Sequence, residues 1–426
     1  PRFGVYDGRR LRAFFLAGLV CAGRVHEPPV SRVRLIILFF LHGMALSMWF
    51  VPLSTILQSN QLSGIRSYAY AAAGVAAFIS PLVFGAMADR HASPVKVLRG
   101  LGLATAAAMA LAAWCIDRGF SSGVVLLAIQ LHALCSAPTF SISTAIVLAA
   151  LKNPTREFGP IRAMATLGWM VGCWMVSLLN ADGSPAAGYG GAVIWLLVCA
   201  FSFAIPMVDP PPPTGRPSLA QRLGLDALAL LSHRDHKAVF VTAALYAIPL
   251  AAFYPFTPPH LKALGLEHTT AWMSLGQVSE IIAMLALAGL LTSWRLKWIF
   301  ACGLAFGVVR YALCAFDTTW SVLAGVSIHG FAFTLFFITA PIYLNERVDP
   351  AWRTRAQALL TLVTSGFGNL VGYLGSGWWF ALTEEGGTAR WWNFWGGLTL
   401  VSAAVFAYFL ITYRGRKGMA VGVGAP

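Results

Sequence analysis

Apolar residues run along this chain in long, nearly continuous blocks separated by short polar connections. Twelve blocks, approximately 34–58, 66–88, 97–116, 123–150, 161–180, 189–208, 238–260, 271–293, 297–316, 320–344, 357–382 and 391–413, reach the length at which a helix crosses a bilayer. About 20 apolar residues are needed to traverse about 30 Å of hydrocarbon. The blocks lack the alternation of lipid-facing and lumen-facing residues that marks barrel strands, so the pattern predicts an all-α polytopic membrane protein with twelve transmembrane helices. A further apolar stretch at 11–23 is too short to span comfortably and reads as an amphipathic leader, with a signal segment as its alternative.

The longest polar connection, 209–237, follows the sixth block and opens with Asp209 and prolines at 210–213. A proline run is a stiff spacer. It divides the chain into an arm (1–33), a six-helix half (34–208), a linker (209–237), a second six-helix half (238–413) and a tail (414–426). Leu219, Leu223, Leu228 and Leu231 suit a short helix lying on the membrane surface. Asn153, Pro154 and Arg156 before span five are echoed by Asp349, Pro350 and Arg353 before span eleven, as two related halves would require.

Composition agrees with the pattern. The chain is 58% hydrophobic and 11% charged, where soluble domains carry about 25% charged residues. Its formal net charge of +14 would suggest nucleic acid if the basic residues were clustered on a soluble surface. Instead 25 of the 30 Lys and Arg fall on the side of the termini and the even-to-odd loops, and only Arg66, Arg118, Lys262 and Arg390 fall opposite. This positive-inside bias predicts cytoplasmic termini and accounts for the charge without a nucleic-acid partner.

Much familiar chemistry is missing. The seven cysteines lie in apolar surroundings without a CxxC pair, which suits core residues and neither a metal cage nor a disulfide framework. No protease, hydrolase, nucleotide or dinucleotide motif is present, so an enzyme is not indicated, no cofactor is called for, and transport would run on a gradient or on another subunit. The informative positions are ionisable groups inside spans, because charge in hydrocarbon is costly and usually faces a cavity or a partner. Glu280 in span eight is the one interior carboxylate; Arg310 lies in span nine, Arg162 at the near end of span five, and His42 and His329 in spans one and ten. Glu280 reads as a proton-carrying or substrate-binding group, with an ion pair to Arg310 or a hydrogen-bonded neutral acid between helices as its structural alternatives. Gln277, three residues earlier on the same helical face, could address the same cavity. Trp169 follows Arg162 and Thr166 along span five and could stack on a planar ligand.

Gly85, Asp89 and Arg90, followed by Lys96 and Arg99 between spans two and three, resemble a degenerate form of the loop signature of the major facilitator superfamily. Within it the chain is similar to the bacterial nucleoside/proton symporters. Pro160 to Gly168, Gly224 to Ala229, Gln277 to Glu280, Arg310 to Leu313, Ala356 with Gln357, and Gly366 to Gly368 carry this likeness over about 34–415. The resemblance implies the major facilitator fold and a substrate site that includes Arg162, Thr166, Gln277 and Glu280, with Trp169 and Phe333 at aromatic positions. The family's acidic position on span ten falls at Thr334, and its amide positions on span seven fall at Ala251 and Tyr254.

The expectation is therefore a monomeric secondary transporter of a bacterial inner membrane, importing nucleosides or related small polar metabolites with protons by alternating access. Glu280 would exchange the proton, Arg162, Thr166, Trp169, Gln277, Phe333 and Thr334 would bind substrate, and Asp89, Arg90 and Arg310 would serve gating or structure. Two alternatives stay open: a permease or exporter of a more apolar molecule, and a non-transporting assembly factor with a transporter fold.

Overall fold

A computed structural model describes residues 31–89, 93–151, 154–206, 218–385 and 388–415. The stretch 11–23, Asn153, the prolines at 210–213, Arg90 and the side chain of Asp89 lie outside the described residues. Among the described residues ten helices are long and apolar enough to cross a membrane, and Arg66–Asp89 and the shorter Ala186–Ser202 bring the total there to the twelve that the apolar blocks predict. Span 1 is Arg32–Ser59, span 2 Arg66–Asp89, span 3 Pro94–Asp117, span 4 Ser122–Ala150, span 5 Pro154–Leu178 and span 6 Ala186–Ser202. Span 7 is Arg234–Ala263, and span 8 is Thr269–Met273 continued by Leu275–Ser293. Span 9 is Leu296–Ala315, span 10 Thr319–Arg347, span 11 Arg353–Thr383 and span 12 Trp391–Thr412. The end of the bundle that holds Ser31 and Gly415 is called proximal below, and the opposite end distal.

Helices pack in membranes by close van der Waals approach, because lipid offers no hydrophobic drive between them. Spans 1 and 5 illustrate this. A Cβ on Gly43 would overlap the carbonyl of Ala165, and one on Gly168 would overlap that of Phe40. His42, beside Gly43, is wedged into the first half with Ser143 Oγ 3.0 Å from Nδ1 and Thr139 Oγ1 3.1 Å from Nε2, over Trp195 at 4.9 Å. It is a satisfied interior histidine.

Several spans are broken where they meet between the halves. Span 7 is interrupted at Ala252, amid Pro249, Pro255, Pro258 and Pro259. A proline cannot donate to the carbonyl four residues earlier. Pro258 thus leaves the Tyr254 carbonyl without its helical donor, and Ser54 Oγ of span 1 supplies one at 3.4 Å. Spans 10 and 11 contain π-helical turns at Thr334–Ile338 and Leu362–Gly368, irregularities that frequently accompany functional sites.

The linker departs from the expected single surface helix. Leu219–Arg222 is followed by a 3₁₀ segment, Leu225–Ser232, because Gly224 takes a left-handed conformation (φ 71°) that ends the first turn. Ala227 and Leu230 are buried while Leu228 stays exposed, and Asp226 meets Arg355 of span 11 at 2.9 Å.

Candidate functional site

The two halves enclose a cavity of about 340 Å³ between spans 1, 4 and 5 on one side and spans 7, 8, 10 and 11 on the other. That volume lies at the small end of the range for small-molecule sites, about 300–1,000 Å³. Glu280 is buried there, and Thr166 of the opposite half donates a hydrogen bond to its Oε1 at 3.1 Å. Arg162 lines the same cavity with its guanidinium 4.8 Å from the Phe140 ring centre. Gln277 donates to the Tyr254 hydroxyl at 3.3 Å. A carboxyl group, a guanidinium group and an amide thus converge on one small space.

The position of Glu280 depends on a close crossing of spans 8 and 10. Gly330 lies so near that a Cβ would collide with the Glu280 backbone nitrogen, and Ser279 Oγ accepts from the Gly330 N–H at 2.9 Å. Only glycine permits this approach.

Arg310 does not pair with Glu280. It is fully buried behind the cavity wall and donates from Nη1 to His329 Nδ1 at 2.5 Å, with its guanidinium 5.0 Å from Phe253 and 4.3 Å from Tyr311. An arginine N–H can only donate, so Nδ1 is the acceptor and the ring proton sits on Nε2. The His329 ring stacks on Phe253 at 4.0 Å and lines the cavity.

Aromatic rings cover the distal side of the cavity. Phe50 of span 1, Trp169 of span 5 and Tyr254 of span 7 touch one another, with ring centres 5.2–6.0 Å apart. Tyr70 and Tyr373, 5.6 Å apart, extend this contact between spans 2 and 11.

Of the residues expected from the sequence, the cavity gathers Arg162, Thr166, Trp169, Gln277, Glu280 and Phe333. Thr334 is not among them: it opens the π-helical turn, is fully buried and lies outside the cavity wall. Ala251 and Tyr254 both line the cavity, so the apolar, proline-rich part of span 7 still delivers a hydroxyl. Sequence reasoning missed Asn369 and Tyr373 on span 11 and Phe140 on span 4. Asn369 directly follows Gly366 to Gly368, and an amide next to that small-residue stretch was its available signal.

This site sits in a chain whose residues 30–417 match the family model described as nucleoside H+ symporter. The chain belongs to that family. A putative nucleoside transporter, YegT, of Escherichia coli (strain K12) is 32% identical over 410 residues, covering 90% of this chain and 94% of the relative. The nucleoside permease NupG of the same organism is 25% identical over 79% of this chain and 85% of its own. The xanthosine permease of that organism is 25% identical, covering 88% and 95%. In solved structures the fold matches a mutant of the nucleoside transporter NupG at a TM-score of 0.82, with 24% identity over 90% of this chain and 100% of that one. A D-xylose–proton symporter matches at 0.68 with 13% identity. This member of the nucleoside H+ symporter family is therefore a multi-pass transporter with the major facilitator fold and not an enzyme.

Proposed function

We propose that this symporter imports nucleosides together with protons, as a monomer in the bacterial inner membrane with both termini cytoplasmic and the distal end outside. One observation carries the reading: the interior carboxylate Glu280 is hydrogen-bonded across the two halves to Thr166, in a cavity also lined by Arg162, Gln277 and aromatic rings. A carboxylate with one oxygen held by a hydroxyl is able to exchange a proton or meet a ribose hydroxyl with the other. Arg162, Gln277 and Asn369 supply donors, and Trp169, Tyr254 and Phe333 supply faces for a planar base. The hydroxyl of Tyr254 and the amide of Asn369 favour a polar substrate over a more apolar one. Because the site joins both halves, rocking of one against the other exposes it to each side in turn.

Uptake of labelled nucleosides into proteoliposomes under an inward proton gradient tests this. Accumulation that collapses with a protonophore is expected. Gradient-independent equilibration, or uptake of sugars and no nucleosides, would overturn it.

A further inference from the structure

We propose that Asp182, in the turn between spans 5 and 6, is a positioning residue of the transport cycle. It holds the distal ends of spans 5 and 8 together and so closes the distal path to the cavity. The contact is a ladder between two antiparallel helices from opposite halves. From the cavity outward, Thr166 donates to Glu280 at 3.1 Å, and Trp174 Nε1 donates to Ser274 Oγ at 2.9 Å. Further out, the Ala271 N–H donates to Ser177 Oγ at 2.9 Å and the Thr270 N–H to Asp182 Oδ1 at 2.7 Å.

The outer rungs are a helix cap supplied in trans. The first N–H groups of a helix lack internal partners, and a side-chain oxygen at the preceding residue ordinarily accepts from them. Span 8 has no such group of its own: the residue before it, His268, is in the left-handed conformation (φ 56°) and gives no side-chain cap. Asp182 of the other half fills the role for the Thr270 N–H, and Ser177 adds a second acceptor for the Ala271 N–H, which also donates to the His268 carbonyl at 3.0 Å. They are held for it, since Ser177 Oγ donates to Asp182 Oδ1 at 2.9 Å and Thr55 of span 1 donates to the Asp182 carbonyl at 2.5 Å. Asn180 accommodates the tight turn at φ 52°, a conformation asparagine tolerates better than most residues.

Two consequences follow. Parting the halves at this end strips the cap from span 8. The innermost rung is Glu280 itself, so a substrate that draws Glu280 away from Thr166 withdraws the rung nearest the cavity while Asp182 still holds the outermost. The proposal takes its meaning from alternating access, but its test needs neither a nucleoside nor a proton gradient and so fails or survives separately from the transport assignment.

The test is thiol accessibility in intact cells. Leu250→Cys places a thiol on the cavity wall, and its reaction with a membrane-impermeant maleimide added outside is compared with that of the parent protein. Labelling of Leu250→Cys is expected to rise about tenfold when Asp182→Ala is added, the scale of losing a helix cap. Asp182→Asn keeps a carbonyl acceptor for the Thr270 N–H and should stay near the starting rate, a rescue that loss of folding would not show. Should the alanine variant fail to reach the membrane, Ser177→Ala, which removes the neighbouring acceptor, carries the same expectation. Unchanged labelling in the variants that reach the membrane at normal levels overturns the proposal, as does Asp182→Asn opening the cavity as fully as Asp182→Ala.

Discussion

Thr166 and Glu280 are joined by a 3.1 Å hydrogen bond although they stand 114 residues apart and belong to different six-helix halves. The bond places the interior carboxylate on the seam along which the halves must move. Any change in the charge or partners of Glu280 therefore acts on that seam.

Replacing Glu280 by Gln keeps the acceptor for Thr166 and removes the exchangeable proton. Gradient-driven accumulation of nucleoside is expected to fall at least about tenfold, equivalent to about 1.4 kcal/mol, while exchange of labelled for unlabelled substrate continues. Wild-type uptake should decline as external pH rises at fixed internal pH, since the inward proton gradient is then smaller. Uptake by the Gln variant should be flat across the same series. A Gln variant that accumulates substrate as well as the wild type removes Glu280 from the coupling role.

Thr166→Val preserves shape and deletes the hydroxyl. A buried carboxylate oxygen that loses its donor costs about 1–3 kcal/mol, so the half-saturating nucleoside concentration is expected to shift about tenfold. Unaltered transport kinetics would show that the bond is incidental.

Gly330→Ala forces a methyl group against the backbone of Glu280. Rigid backbone atoms yield poorly, and overpacking of this kind typically costs about 1–3 kcal/mol. The expected result is a lowered unfolding temperature in detergent with transport largely lost. Alanine at a more open glycine such as Gly289, where a Cβ would meet nothing within 4 Å, should be tolerated by the same measurements.

Arg310→Met leaves His329 Nδ1 without a donor inside the bundle. Removing one partner of a buried polar pair costs about 1–3 kcal/mol, whereas replacing both by apolar groups can be nearly neutral. Thermal unfolding should show a clear loss of stability for Arg310→Met and partial recovery for Arg310→Met combined with His329→Phe. Equal losses in both would mean that Arg310 contributes through its packing on the Phe253 and Tyr311 rings instead.

The twelve spans and the interior carboxylate were legible in the amino-acid sequence, because hydrocarbon admits long apolar helices and makes an interior charge conspicuous. Family-like stretches also marked Arg162, Thr166 and Gln277 for the same cavity. What one-dimensional pattern could not express is how each helix is rotated and where it bends. The proline breaks in span 7 turn Tyr254 toward Gln277, the π-helical turn in span 10 buries Thr334 outside the cavity, and span 11 presents Asn369 to it. Arg310 meets His329 because spans 9 and 10 pack directly behind the cavity wall. Apolar periodicity determines that a segment crosses the membrane; contacts between helices, from about twenty to more than a hundred residues apart in the chain, decide which of its side chains meet in the site.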